Sequence, residues 1–155
     1  MKRHYLPTLE QEEKKIRAIL ARDFSAHLLN NTKWREIITS LEELPVNYRI
    51  KFIDVETPLN GYLSHRTEEF YDSNWGLIPI LSVEWMEVRT VETRALGLMV
   101  PPDCINHGPE VERRLKCLNI PYQLSDGCIR ITGHLRRGHT TPPNNSFKPK
   151  PLCRP

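Results

Sequence analysis

Two segments near the N-terminus have apolar residues at helical spacing. The first predicts a helix over residues 9–28, with Thr8 as its N-cap and Gln11 completing a capping box. Asn30 and Asn31 suit the C-terminal end of this helix. The second segment predicts a helix that starts after Thr32 and ends before Pro45. We therefore expect two amphipathic helices joined by a short link.

Two later segments alternate as strands do, and each changes phase once. Residues 46–56 alternate up to Phe52, after which Ile53 continues in the opposite phase, which predicts a β-bulge there. Residues 76–89 form the longest apolar run and predict an interior strand that is apolar on both faces in its first half. A bulge at Trp85–Met86 would bring Glu84 and Glu87 onto one face. Without that bulge the two carboxylates would lie on opposite faces.

The remaining pattern completes an α+β fold. Residues 95–100 predict a short strand ended by Pro101-Pro102, and Gly108-Pro109 predicts the start of a third helix. Residues 120–125 and 128–133 flank Asp126-Gly127, a favoured two-residue hairpin turn. The expected fold is a mostly antiparallel sheet of about five strands, packed by two N-terminal helices and one later helix.

Charge divides the chain into a body and a tail. The net charge of +3 hides 17 basic against 19 acidic residues over residues 1–133, followed by five basic residues and no acidic one. Residues 54–88 contain seven acidic residues and one basic residue. We therefore predict one α+β domain over residues 1–135, with an acidic middle. Residues 136–155 are rich in proline and basic, and we predict that they form a disordered tail.

Membrane and secretory classes are disfavoured. The sequence has no uninterrupted apolar run long enough to span a bilayer, and its N-terminus lacks the apolar region of a signal peptide. These features predict a cytoplasmic protein.

A metal site is the first chemistry to consider. Cys104 and His107 have ligand-like spacing, and Cys117, Cys128 or His134 could complete a tetrahedron. Zinc sites usually show two close pairs of ligands, whereas this sequence has one, and buried thiols are common in packing. We predict no metal and no cofactor.

Catalysis and nucleic-acid binding are two further alternatives. Cys104 with His107, or Glu84 with Glu87, could form a catalytic pair, but the sequence has no nucleophile elbow, phosphate-binding loop or third orienting group. The basic tail could contact phosphates. Five charges in a disordered segment would bind weakly and without sequence preference, so we disfavour a nucleic-acid partner.

Protein binding is the function that the acidic middle favours. Aromatic side chains among the carboxylates are typical of interface anchors, although they could equally cover the sheet. The predicted partner-binding residues are Asp54, Glu56, Glu68, Glu69, Phe70, Tyr71, Asp72, Trp75, Glu84 and Glu87, with Tyr62 as a further aromatic. Carboxylates of this kind complement the basic substrate cleft of a nuclease and accelerate association with it.

Three segments resemble a family of small bacterial proteins of unknown function, DUF6678. They are NNTKWREI at residues 30–37, ILSVEWMEVR at residues 80–89 and NIPYQLSDGCIRITGH at residues 119–134. The resemblance implies no established activity, cofactor or catalytic residue. It implies a bacterial origin and a small domain similar in style to cytoplasmic immunity proteins. We therefore expect a non-enzymatic immunity protein that neutralises a cognate, basic toxin.

Overall fold

The computed structural model of the protein describes residues 8–61, 69–72, 76–125 and 127–138. Three α-helices and eleven strands lie within these ranges. In chain order they are α1 Leu9–Asp23, β1 Phe24–His27, α2 Asn31–Leu41, β2 Asn47–Phe52, β3 Leu59–Gly61, β4 Glu69–Asp72, β5 Gly76–Pro79, β6 Val83–Arg89, β7 Val91–Arg94, β8 Asp103–Asn106, α3 Gly108–Cys117, β9 Gln123–Ser125, β10 Cys128–Thr132 and β11 His134–Arg136. A 3-10 turn at Ile80–Ser82 joins β5 to β6.

A five-stranded antiparallel sheet is the centre of the fold, with strand order β3-β2-β6-β10-β9. Strand β6 lies in the middle, between β2 and β10. Three antiparallel two-stranded pairs, β1-β11, β4-β5 and β7-β8, accompany it. The predicted α+β class and the mostly antiparallel sheet of about five strands are both confirmed.

The main core lies between one face of this sheet and helices α2 and α3. Met86 and Val88 of β6 are fully buried there, against Trp34 of α2 and Leu115 of α3 in the same apolar cluster. Because strand residues alternate, the neighbours of Met86 and Val88 in β6 lie on the opposite face. That opposite face is where the charged residues of the central strands are found.

Helix α1 is shorter than predicted. Its capping box at Thr8 is present, but the helix ends at Asp23 instead of residue 28. The next four residues form β1, which pairs with β11, so strand pairing overrides the helical periodicity there. Asn30 is the N-cap of α2, where its side chain accepts from the Lys33 amide, and does not belong to the end of α1.

The stretch 76–89 is three elements and not the single strand that we predicted. Strand β5 pairs only with β4, and the 3-10 turn redirects the chain before β6 enters the central sheet. The predicted phase change is present. Lys51 pairs with Trp85 while Phe52 pairs with Val83, so Glu84 is the extra residue of a bulge. The bulge thus lies one residue before the predicted position.

Residues 90–107 form an unpredicted hairpin. Strands β7 and β8 pair with each other, and the expected strand at residues 95–100 is an exposed loop between them. Prolines after this segment restrict its pairing.

The C-terminal half otherwise follows the sequence closely. Helix α3 begins at Gly108, and Asn119 follows it with a φ of 58°. The hairpin of β9 and β10 is present around residue 127. Arg136 ends β11 and Arg137 is anchored to α1, so folded structure continues past the predicted boundary at residue 135. Residues 139–155, most of the predicted tail, lie outside the described ranges.

Candidate functional site

Two surfaces of the described residues combine unusual composition with a fixed framework. The first is the apolar hairpin loop, formed by Leu96, Leu98, Met99 and Val100 between β7 and β8. The second is the cationic sheet face, formed by Arg49, Lys51, Arg89, Arg130 and Arg136 around Trp85, on the side of the central sheet away from α2 and α3.

The apolar hairpin loop exposes large side chains to water. Leu98 is 105% and Met99 96% exposed, so neither side chain is covered by the described part of the fold. Leu96 and Val100 are also largely exposed. Single exposed apolar residues are ordinary, whereas four within five positions form a contiguous patch, which typically marks an interaction site.

Polar contacts fix the base of this hairpin. The backbone amide of His107 donates to the Thr90 carbonyl at 2.7 Å, and the His107 ring contacts the Glu92 carboxylate at 2.9 Å. Arg94 Nε donates to the same carboxylate at 2.7 Å. Hydrogen bonds from Arg94 and His107 lower the pKa of Glu92, so this carboxylate is ionised at neutral pH. The loop therefore projects from a well-defined stem.

Cys104 and His107 belong to this stem and lie on opposite faces of it. Cys104 is opposite Thr93, whereas Glu92, which binds His107, is opposite Ile105. Adjacent strand positions alternate between faces, so the Cys104 thiol points away from the His107 ring. The proposed pairing of these residues in a metal site or a nucleophile–base pair therefore has no geometric support. Within the described ranges, no three His, Cys, Asp or Glu residues are grouped as metal ligands would be.

Glu87 is a buried carboxylate at the centre of the cationic sheet face. It lies opposite Arg49 on β2 and Arg130 on β10. Arg49 Nη2 donates to Glu87 Oε2 at 2.6 Å, and Arg130 Nε donates to Oε1 at 3.0 Å. Burial alone would raise the pKa of Glu87, but the hydrogen bonds from Arg130 and Arg49 outweigh it and lower the pKa. A carboxylate held ionised in this way is poorly suited to act as a general acid.

Glu84 is the second buried carboxylate, at the bulge of β6. Arg136 binds it through two hydrogen bonds, Nε to Oε1 at 2.7 Å and Nη2 to Oε2 at 2.9 Å. Lys51 Nζ lies 3.3 Å from Glu84 Oε2. Lys51 shares its face of β2 with Arg49, so Glu84 and Glu87 are directed to one face, as the bulge predicts. Both carboxylates are paired with cations, however, and neither is available as an exposed acidic group.

Trp85 lies between the two arginines that bind Glu87. The guanidinium carbon of Arg130 is 4.1 Å from the centre of the Trp85 ring, and that of Arg49 is 5.7 Å from it. Both arginine side chains are 38% exposed. The face therefore has five basic residues and two carboxylates among the residues named, and it is cationic where the sequence predicted an acidic surface.

The other predicted interface residues divide into three groups. Asp54 and Glu56 are exposed, just after β2, and Asp54 Oδ2 lies 3.8 Å from Lys15 Nζ. Tyr62, Glu68 and Trp75 lie outside the described ranges. The backbone of β4 is described, but not the side chains of the candidates it carries, which are Glu69, Phe70, Tyr71 and Asp72.

Sequence reasoning missed both surfaces for identifiable reasons. The loop contains the apolar run LGLMV at residues 96–100, a composition that predicts a strand. Its lack of apolar–polar alternation and the two prolines that follow were the available signal against that interpretation. The cationic sheet face depends on pairing between residues 49, 87 and 130, which are distant in sequence.

Comparison with known proteins gives one match. The model of a family of unknown function, DUF6678, matches residues 16–138. Neither a curated protein nor a solved structure matches the chain. None of the described helices is long and apolar enough to cross a membrane.

Proposed function

This chain belongs to the DUF6678 family, a family of unknown function, and we propose that it is a non-enzymatic binding protein. Its biological role in this proposal is that of a bacterial cytoplasmic immunity protein, which occludes the functional cleft of a cognate toxin. The observation that carries the binding role is the apolar hairpin loop, with Leu98 and Met99 almost entirely exposed.

Exposure of this loop is costly unless a partner covers it. Burial of a large aliphatic side chain contributes about 1.5–3 kcal/mol. The contacts of His107 and Arg94 with Glu92 stabilise the stem while the described residues leave the tip uncovered. An aliphatic tip on a fixed stem is suited to enter a pocket because little conformational entropy is lost when it binds.

The partner that fits this loop best is a protein with a concave apolar cleft. A stable protein interface buries roughly 800 Å² on each partner. Four side chains at the tip of one hairpin do not supply that area by packing against the same tip of a second copy. Inserted into a cleft, the tip would be buried on several sides and the hairpin strands would contact the rim.

A binding role is supported by one feature besides the loop. The candidate pairs Cys104–His107 and Glu84–Glu87 lack catalytic geometry, which favours binding over chemistry. Asp54 and Glu56 are exposed carboxylates that could form a separate contact with a basic toxin, because they lie beyond the end of β2 that pairs with Val83, whereas the hairpin follows the other end of β6. Because Glu84 and Glu87 are neutralised by basic residues, the apolar loop replaces the acidic face as the main contact in this proposal.

The test measures binding of the purified chain to the product of the reading frame adjacent to its gene. The double variant Leu98→Ser/Met99→Ser should weaken the affinity by at least about tenfold, since about 1.4 kcal/mol corresponds to that factor. Leu124→Ser is the matched control, because Leu124 is 55% exposed on β9, outside the loop. Isothermal titration calorimetry provides the affinities.

Two results would contradict the proposal. Equal affinities for the loop variant and the Leu124→Ser control would remove the loop from the interface. A stable dimer in sedimentation that the double variant abolishes would assign the loop to self-association instead of a partner cleft.

A further inference from the structure

The cationic sheet face offers hydrogen-bond donors that the described part of the fold does not use. A guanidinium group has five N–H donors. Arg130 contacts Glu87 through Nε and Nη2, and Arg49 contacts it through Nη2. Among the described residues, Nη1 of Arg130 and both Nε and Nη1 of Arg49 have no protein acceptor. Arg89, exposed on β6, makes no ion pair within the described residues.

We propose that this face is a binding site for an acidic polypeptide segment, whose carboxylates bind Arg49, Arg89 and Arg130 around Trp85. This site is separate from the apolar hairpin loop and goes beyond the function proposed above. Arginine binds carboxylates through paired N–H donors, and Trp and Arg are the residue types most enriched among the dominant contacts of protein interfaces.

Two of the three arginines are held in place before any ligand arrives. Glu87 fixes the ends of Arg49 and Arg130, and the Trp85 ring lies against both guanidinium groups. Immobilising a long side chain at an interface costs conformational entropy, and for these two arginines the fold has already met most of that cost. Because Glu87 is shielded beneath the arginines, the surface that a ligand meets is positive.

An acidic polypeptide fits this face better than a nucleic acid does. Residues 1–138 hold 19 basic and 19 acidic residues, and the net charge of +3 comes from the three basic residues that follow, so residues 1–138 have no net positive charge to attract a long nucleic acid. The described face also has one aromatic ring, and Arg130 lies against it at 4.1 Å. Single-stranded nucleic acids are instead bound on several open aromatic rings. Local charge complementarity with a short acidic segment requires neither feature.

The test uses the full-length protein and a fluorescein-labelled hexaglutamate peptide, with fluorescence anisotropy as the readout. Saturable binding that weakens with added salt is expected. Arg89→Gln should weaken it about tenfold, since it removes a charge-assisted hydrogen bond to the peptide. Arg49→Lys, which retains the charge but not the planar fork, should also weaken it. Arg113→Gln on the exposed face of α3 is the control and should bind as the wild type does.

These variants separate the proposal from its alternatives. Arg89 has no structural partner among the described residues, so a loss of binding in Arg89→Gln cannot be assigned to unfolding. The loop variant Leu98→Ser/Met99→Ser should bind the peptide normally, which distinguishes this site from the partner-binding loop. The proposal is overturned by no saturable binding, by equal losses in Arg89→Gln and Arg113→Gln, or by tighter binding of an oligothymidylate of equal charge.

Discussion

His134 is a titratable residue whose side chain is almost completely buried. It is buried beside Phe24, and its Nε2 lies 2.7 Å from the Leu81 carbonyl oxygen. A carbonyl can only accept, so Nε2 carries a proton. In the neutral ring Nδ1 is then an acceptor, and His27 Nδ1, 3.0 Å away, donates to it. A second proton on the His134 ring would require His27 to change tautomer and would place a positive charge in a buried site.

The protein should therefore lose stability in mildly acidic solution. Burial lowers the pKa of His134, with the His27 charge acting in the same direction and Leu81 and Glu84 opposing it. Below the unfolded value of about 6.5 the unfolded chain binds more protons, so the free energy of unfolding falls as the pH falls. Urea denaturation from about pH 7.5 to pH 5 should show this slope. The variant His134→Leu should flatten it and His107→Gln should retain it, whereas an equal slope in all three proteins would refute the assignment.

Gly133 shows why the residue before His134 has no side chain. A Cβ there would lie 2.8 Å from Cζ2 of Trp34 and 2.8 Å from the carbonyl oxygen of Val83. The Gly133 amide also donates to the Glu84 carbonyl at 2.8 Å, and its own carbonyl accepts from Leu28. The chain can pass so close to the core tryptophan only without a side chain. The sequence alone does not show why this position must be glycine, because the close contacts arise only in the folded structure.

At the scale of elements, strand β6 combines the centre of the core with the charged face. Its phase change made it possible to predict that Glu84 and Glu87 share a face. Their partners could not be predicted, because Arg49, Arg130 and Arg136 reach them only after three strand pairings, β2-β6, β6-β10 and β1-β11, have formed. The same limitation applies to the hairpin of β7 and β8, whose loop resembles a buried strand in composition. Sequence patterns predict that apolar segments are buried, whereas the apolar side chains of this loop are exposed.

Glu87 should stabilise the sheet measurably through its two arginines. Replacing it with Gln leaves Arg49 and Arg130 without a counter-charge, and we expect the free energy of unfolding to fall by about 1–2 kcal/mol, below the value for fully buried pairs because both arginines are partly exposed. Since its pKa is lowered in the folded state, this contribution is present above the unfolded pKa and is lost as the pH falls through the folded value. Urea denaturation at neutral pH and near pH 3 measures both effects.

A matched control is available on α3. Glu110 also binds two arginines, Arg113 and Arg114, but lies at the surface. Glu110→Gln should change the free energy of unfolding much less than Glu87→Gln does, because solvent screens an exposed ion pair. Equal destabilisation by the two substitutions would show that the position of Glu87 within the sheet has no special effect.

For the whole molecule, the sequence predicted the architecture better than the surface. Capping residues, turn glycines and alternation are local, and they predicted all three helices, the hairpin around residue 127 and four of the five strands of the central sheet, whereas β3 was not predicted. The end of α1 was wrong because Phe24 joins a strand whose partner lies 112 residues later, at Arg136. The acidic surface was assigned by counting charges along the chain, whereas the fold pairs Glu84 and Glu87 with basic residues from other strands.

The contacts of Arg136 and Arg137 provide the last prediction. Arg136 binds Glu84 and lies over the Phe24 ring at 4.7 Å. The Arg137 amide donates to the Asp23 carbonyl, and its side chain donates to the carbonyls of Arg22 and Ala21. These contacts satisfy C-terminal carbonyls of α1 that would otherwise lack intrahelical donors. Residues 136–138 therefore join the last strand to the first helix.

A chain ending at residue 138 should consequently be more stable than one ending at residue 135. Loss of several charge-assisted hydrogen bonds, and of one of the two cationic partners of buried Glu84, should lower the free energy of unfolding by about 2–4 kcal/mol in the shorter chain, in which Lys51 still contacts Glu84. Urea denaturation of the two truncated proteins measures the difference directly. Arg136→Gln and Arg137→Gln in the longer chain then divide it between the sheet and the helix end, and we expect the larger share from Arg136 because Glu84 is buried. Equal denaturation midpoints for the two truncated proteins would instead show that the contacts of Arg136 and Arg137 do not stabilise the fold.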